Sequence, residues 1–115
     1  MNIQIIKSKY PKSYEKLVIW SKNIIAQYGG MDQTMQNNLP MDNIIETMVV
    51  YNPRSLYEFF DGLGINVIIN LDNNKWRYIT SETNIIIDQT FYNSRKEAED
   101  AGFLKGFELL EKTLQ

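Results

Sequence analysis

The chain predicts an α+β fold: a three-stranded antiparallel meander packed against helices in α-β-β-β-α order, with an N-terminal helical extension. Three observations predict it. Apolar residues follow helical spacing over residues 41–63 and again after residue 94. Between them, in INVIINLD and the run after it, the period changes to two. Asn73-Asn74 interrupts that alternation where a tight hairpin turn belongs, because asparagine tolerates positive φ. At 115 residues the chain has the size of one domain. Residues 1–50 are read as the helical extension and 53–115 as the α-β-β-β-α unit of a single domain, 1–115.

The elements follow in order. Ile3, Ile5 and Ile6 predict a short strand or a packed arm. Pro11 suits a first helical turn, and Tyr14, Leu17, Val18, Ile24, Ile25 and Tyr28 then follow helical spacing, with Ile19 and Trp20 off that stripe. Gly29-Gly30 ends the helix. The polar run from Met31 to Pro40 reads as a loop. Met41, Ile44, Ile45, Met48 and Val49 mark one face of a further helix, stopped at Asn52-Pro53. The same pair starts the next helix, with Asn52 as cap and Leu56, Phe59, Phe60 and Leu63 as its buried face.

The hairpin register follows from the turn. It places Leu71 opposite Trp76, Ile69 opposite Tyr78 and Val67 opposite Thr80, with Asn70 against Arg77 and Ile68 against Ile79 on the other face. Residues 85–92 are expected as the third strand. The final helix opens at Ser94, with Glu97 three residues on in a capping box. Phe103, Phe107, Leu110 and Leu114 form a stripe for the sheet. Ala98, Gly102, Gly106 and Leu109 form a second, smoother stripe. Each glycine weakens a helix by roughly 1 kcal/mol relative to alanine, so this stripe needs a close neighbour. The N-terminal helix is one candidate, and a second subunit, giving a homodimer through Gly102 and Gly106, is the other.

Composition excludes several chemistries. With no cysteine and no histidine, disulfides, thiolate catalysis, histidine triads and zinc fingers do not arise. No glycine-rich phosphate loop follows a strand. Glu97, Glu99 and Asp100 cluster where acids stabilise a helix start for their own sake, and nothing in the spacing of Asp72 and Asp88 requires a metal. No cofactor is implied, and the chain is read as a non-enzyme. The N-terminal run lacks the length and cleavage site of a signal peptide, and no apolar run approaches the roughly 20 residues of a membrane span. A soluble, cytoplasmic protein is expected, with no membrane partner.

Net charge is −2, so there is no global attraction to nucleic acid. Yet Lys7, Lys9, Lys12, Lys16 and Lys22 share one segment whose only acid is Glu15. With Tyr10, Tyr14 and Trp20 interleaved, they form a candidate surface for phosphate contact and stacking. The competing reading is an amphipathic helix with solvated lysines.

Two resemblances attach to residues 53–114. NPRSLYEFF and SRKEAEDAGFLKGFELLEK resemble the first and last helices of the double-stranded RNA-binding domain. That resemblance implies phosphate contacts by Arg95 and Lys96 at a helix N-terminus and a minor-groove contact by Glu58. The sequence departs from the pattern at Glu99, where the family has a third basic residue. It departs again at Asp72-Asn73-Asn74-Lys75, a tight turn where the family has a longer loop. YEFFDGLGI, NKWRYI and FYNSRKEAEDA resemble small uncharacterised proteins of Bacteroidetes phages and mobile elements, which implies an accessory role. The expected function is a non-enzymatic interaction protein that binds, and inhibits or regulates, a protein partner through Tyr10, Tyr14, Trp20, Met31 and Met35. The alternative is a nucleic-acid-binding module using Lys7, Lys9, Lys12, Lys16, Arg95 and Lys96.

Overall fold

The computed structural model describes residues 1–29, 33–81, 85–87 and 90–115, with the backbone alone described at residues 28, 33, 36 and 85–87. The chain is α+β. Helices α1 (Ile3–Lys9), α2 (Pro11–Gly29), α3 (Gln33–Asn37), α4 (Met41–Tyr51) and α5 (Arg54–Asp61) precede strands β1 (Asn66–Asp72), β2 (Lys75–Ser81) and β3 (Ile85–Ile87), and α6 (Arg95–Thr113) closes the chain. One hydrophobic cluster runs from Ile3 and Ile6 through Leu17, Ile45, Val49 and Phe60 to Phe107 and Leu110. No helix among the described residues is long and apolar enough to cross a membrane.

The hairpin forms in the register expected from its turn, from Asn66↔Ser81 to Asp72↔Lys75. Asn73 and Asn74 hold φ of 52° and 63°, the left-handed pair that a two-residue turn requires. The expected three-stranded meander is corrected. Only β1 and β2 make a full ladder; β3 contributes three residues, pairing Ile79↔Ile87 to Ser81↔Ile85. Among the described residues, the chain next meets β2 at the isolated bridge Trp76↔Tyr92. Between Ile79 and Trp76, β2 takes three residue steps while the outer chain takes five, from Ile87 to Tyr92. The two pairings therefore differ in register and make no single ladder, and the sheet is in substance a two-stranded ribbon with a short stub.

Four local expectations are also corrected. Residues 3–9 are helical: the Asn2 side chain caps the Gln4 N–H at 2.8 Å, and Ile3 and Ile6, one turn apart, are both buried. The run from Met31 to Pro40 contains α3. Asn52 closes α4 with its backbone N–H on the Met48 carbonyl and makes no side-chain cap for α5. Leu63 is 42% exposed, because α5 ends at Asp61 and position 63 falls in the turn beyond it. Gly64, at φ 78°, takes the left-handed conformation there, and the Ile65 N–H returns to the Phe60 carbonyl at 2.9 Å.

Helix α6 is capped as its sequence predicts, with Ser94 Oγ accepting from the Glu97 N–H at 3.1 Å. Its two stripes are exchanged relative to expectation. Phe103 and Phe107 pack on the aromatic face of α5: Phe60 stacks on Phe103 at 6.2 Å and meets Phe107 edge-on at 4.9 Å. The glycine stripe takes the sheet and the Phe60 ring. A Cβ at Gly102 would lie 3.0 Å from Val67 Cγ1 and 3.1 Å from Tyr78 Cβ; one at Gly106 would lie 2.9 Å from Phe60 Cζ. The close neighbour of this stripe is therefore the chain's own hairpin and α5, and both glycines are buried.

α2 begins with an unusual cap. Pro11 has no N–H to satisfy, and the next two N–H groups, of Lys12 and Ser13, reach the Glu111 carboxylate of α6 at 3.3 and 2.8 Å. Ser13 Oγ donates to the Phe107 carbonyl at 3.1 Å. Glu111 is buried and Ser13 is wholly so.

Two outcomes are expected in urea denaturation. Gly106→Ala is destabilising by about 1 kcal/mol, because overpacking against a buried ring exceeds the gain in helix propensity; Gly102→Ala is destabilising as well, because Val67 Cγ1 and Tyr78 Cβ sit close to the strand backbone and cannot turn aside. Glu111→Ala costs about 1–2 kcal/mol through loss of the cap, Glu111→Gln costs less, and the Lys12 and Ser13 amides exchange faster in both.

Candidate functional site

The best-formed concave surface runs along α2. Lys16, Ile19, Trp20 and Asn23 lie on one face at i, i+3, i+4 and i+7. With Phe59, Gly62 and Leu63 they line a cleft of about 230 Å³. A second cleft of about 250 Å³ shares Lys16 and Ile19 and extends to Lys12, Glu15 and Leu114. On the far side of Trp20 a third, of about 260 Å³, lies among Ile24, Ile25, Ile44, Met48 and Glu58. Together they form a shallow apolar groove with Trp20 as its central ridge.

Local packing holds that ridge. Trp20 stands edge-on to Phe59 at 5.5 Å, and Phe59 is fixed by Phe60 and Phe107. Trp20 is half-buried, whereas Ile19 is 52% exposed. Lys16 is exposed and has no ion pair among the described residues.

The residues expected to form one contact surface are dispersed. Tyr14 is only 7% exposed, which corrects its assignment to a surface: it faces α4 and donates its hydroxyl to Asp42. Lys7 Nζ lies 2.6 Å from Asp42 and over the Tyr14 ring at 5.6 Å. The three side chains tie α1, α2 and α4 together. Tyr10 is half-buried in a separate hollow with Tyr78, Leu104, Lys105 and Glu108; burial first, then the Glu108 charge, pushes its phenol up. Met35 is exposed on α3, and Met31 lies outside the described residues. Of the described members of this set, Trp20 alone lines the groove.

The cations of the alternative reading are dispersed. Lys12 Nζ reaches the Leu114 carbonyl at 3.3 Å, while Arg95 and Lys96 stand at the other end of α6, roughly 28 Å away at 1.5 Å per residue. Lys96 pairs with Asp100 at 2.7 Å. Glu99 is buried and accepts the Tyr57 hydroxyl at 2.8 Å, so the position that breaks the RNA-binding pattern serves the α5–α6 contact. Burial first, then the Glu99 bond, pushes the Tyr57 phenol up. Lys9 and Lys16 are exposed. Gly102 and Gly106 are covered from within the chain, so the expected dimer face is occupied. No group of three or more carboxylates among the described residues is placed to hold a metal ion.

The groove residues that sequence reading missed are Ile19 and Leu63. Ile19 carried a signal, since it lies off the helical stripe beside Trp20; two large apolar residues off the buried face mark a second apolar surface. Leu63 carried none, because its exposure depends on where α5 stops. No protein-family model, no curated protein and no solved structure matches this chain.

The Lys7 ammonium, then the Tyr14 hydroxyl, hold the Asp42 carboxyl below the usual carboxylate range. A depressed folded-state value means that this stabilisation is complete above the unfolded carboxylate range and is lost as pH falls through the lower folded value. Asp42 is half exposed, so the effect is small. Stability followed from about pH 5 to about pH 2 is expected to fall less steeply in Asp42→Asn than in the parent, at the cost of a lower plateau near neutral pH.

Proposed function

We propose that the protein is a non-enzymatic interaction protein that binds a protein partner through the α2 groove, in an accessory role of the kind phages and mobile elements encode. The observation that carries the reading is the apolar strip of exposed Ile19 and Leu63 and half-buried Trp20 beneath Lys16, which has no ion pair among the described residues. A half-buried tryptophan on a rigid aromatic base, rimmed by polar groups, is the anatomy of a binding hot spot. The occupant that suits it is an amphipathic helix or strand of the partner, its apolar side chains beside Trp20 and a carboxylate toward Lys16. Engagement of such a surface gives the means to inhibit or regulate that partner.

The accessory role rests on the resemblance of residues 53–114. The α2 groove supplies the chemistry of contact, and the absence of histidine and cysteine leaves a short inventory for catalysis. Lys7, Lys12 and Lys96 are each engaged within the chain, so no particular observation favours the nucleic-acid reading.

Affinity purification from host cells with the parent chain and with Ile19→Asp tests the proposal. The expected result is a partner that the parent retains, that binds again when purified, and that the variant binds at least ten-fold more weakly with an unchanged melting curve. Recovery of no partner, or equal binding by the variant, removes the reading. Binding to duplex RNA or DNA that falls steeply with salt and is lost in Arg95→Glu/Lys96→Glu points to the alternative instead.

A further inference from the structure

We propose that β1 is a self-association edge: two copies of the chain pair antiparallel through Asn66–Asp72, in a register centred on Ile69, to make one continuous sheet. This surface is separate from the α2 groove and from the Gly102/Gly106 stripe, and it does not depend on the partner reading above.

The strand order is β1-β2-β3, so β1 has a strand neighbour on one side only. Among the described residues, no backbone hydrogen bond reaches its other side. The two-residue turn makes Asp72 and Lys75 a hydrogen-bonded pair, and bonding alternates from there. Asn70, Ile68 and Asn66 therefore bond toward β2. The N–H and C=O groups of Val67, Ile69 and Leu71 point outward.

That outward set matches itself. A two-fold axis at Ile69 sets Ile69 opposite the partner's Ile69, Val67 opposite the partner's Leu71, and Leu71 opposite the partner's Val67. All three outward residues of each copy then pair, giving six backbone hydrogen bonds; moving the centre by one residue either way leaves one of them without an outward-facing counterpart in the strand. Leu71, 52% exposed, gains an apolar neighbour in the partner's Val67. On the outer face Ile68, 51% exposed, meets the partner's Asn70.

Natural sheet edges are usually blunted by lysine, proline, bulges or shortness. β1 has seven residues, no lysine, no proline and an unbroken register. Its one charge, Asp72, lies at the end, opposite the partner's Asn66, so no like charges meet. A strand with one terminal charge has little with which to select a foreign peptide, whereas a second copy, centred on Ile69, meets it with no like charges opposed. Seven residues at about 3.3 Å each, across a sheet about 10 Å thick, cover roughly 230 Å² per copy. That is well below the ~1,000 Å² total of a stable interface, so the dimer forms reversibly and only at high protein concentration.

Sedimentation of the full chain from about 10 µM to about 1 mM tests this. A rise from monomer to dimer mass is expected across that range. Ile68→Lys/Asn70→Lys opposes two lysines at each outer-face pair and is expected to weaken the dimer at least ten-fold. Ile68→Lys/Asn70→Glu opposes opposite charges in the same register and is expected to restore it. Both variants alter an outer face away from α6, and circular dichroism checks that they fold. As a second readout in this cysteine-free chain, Ile69→Cys is expected to link two copies on mild oxidation and Asn70→Cys is not. A parent that stays monomeric at the highest concentration overturns the proposal, as do equal effects of the two charge variants or equal linkage of the two cysteine variants.

Discussion

The contact on which the rest of the molecule depends is the Glu111 carboxylate at the start of α2. A helix begins with N–H groups that have no intrahelical partner. Here Pro11 removes one, and Glu111 takes those of Lys12 and Ser13. The carboxylate also meets the positive end of the helix dipole, and its burial is compensated by donors in place. Ser13 completes the joint by donating to a carbonyl of α6. With Ser13 wholly buried and bonded to α6 through both its N–H and its hydroxyl, the axis of α2 is set relative to α6 by polar geometry as well as by apolar contact. The face that α2 turns outward, with Ile19 and Trp20, follows from that setting.

The second constraint is the pairing of large and absent side chains on α6. Phe59, Phe60, Phe103 and Phe107 occupy the space between α5, α2 and α6. Phe60 fits only because Gly106 offers no Cβ, and the hairpin reaches the helix only because Gly102 does the same for Val67 and Tyr78. The helix propensity lost at the two glycines is offset by close packing on both sides. Apolar burial of this kind is worth roughly 1.5–3 kcal/mol for each phenylalanine, more than either glycine costs.

Much of this was legible in the sequence, wherever the determinants are local. The Asn73-Asn74 turn fixed the β1–β2 register, because a two-residue loop leaves little freedom. The Ser94 cap and the face of Met41, Ile45 and Val49 were legible for the same reason. What was not legible depends on contacts distant in the chain. Nothing near Gly102 says that its neighbour is Val67, and nothing near Glu111 says that it caps a helix almost a hundred residues away. The third strand failed for a subtler cause. The pairs Ile79↔Ile87 and Trp76↔Tyr92 differ in register by two residues, so they cannot belong to one continuous ladder with β2. Of the groove, the sequence showed Trp20 and Lys16 and left their company obscure, since Phe59 and Leu63 belong to another helix and its turn.

The cap on α2 also fixes an order of events during synthesis. Residues 12 and 13 leave the ribosome early, yet the acceptor they need is residue 111. Until that residue has emerged, the first turn of α2 lacks its cap, Ser13 lacks its carbonyl, and Phe59 lacks the Phe107 ring that steadies it under Trp20. The nascent chain therefore carries the groove in sequence but not in shape. The groove takes its final shape when α6 docks and Phe107 meets Phe59.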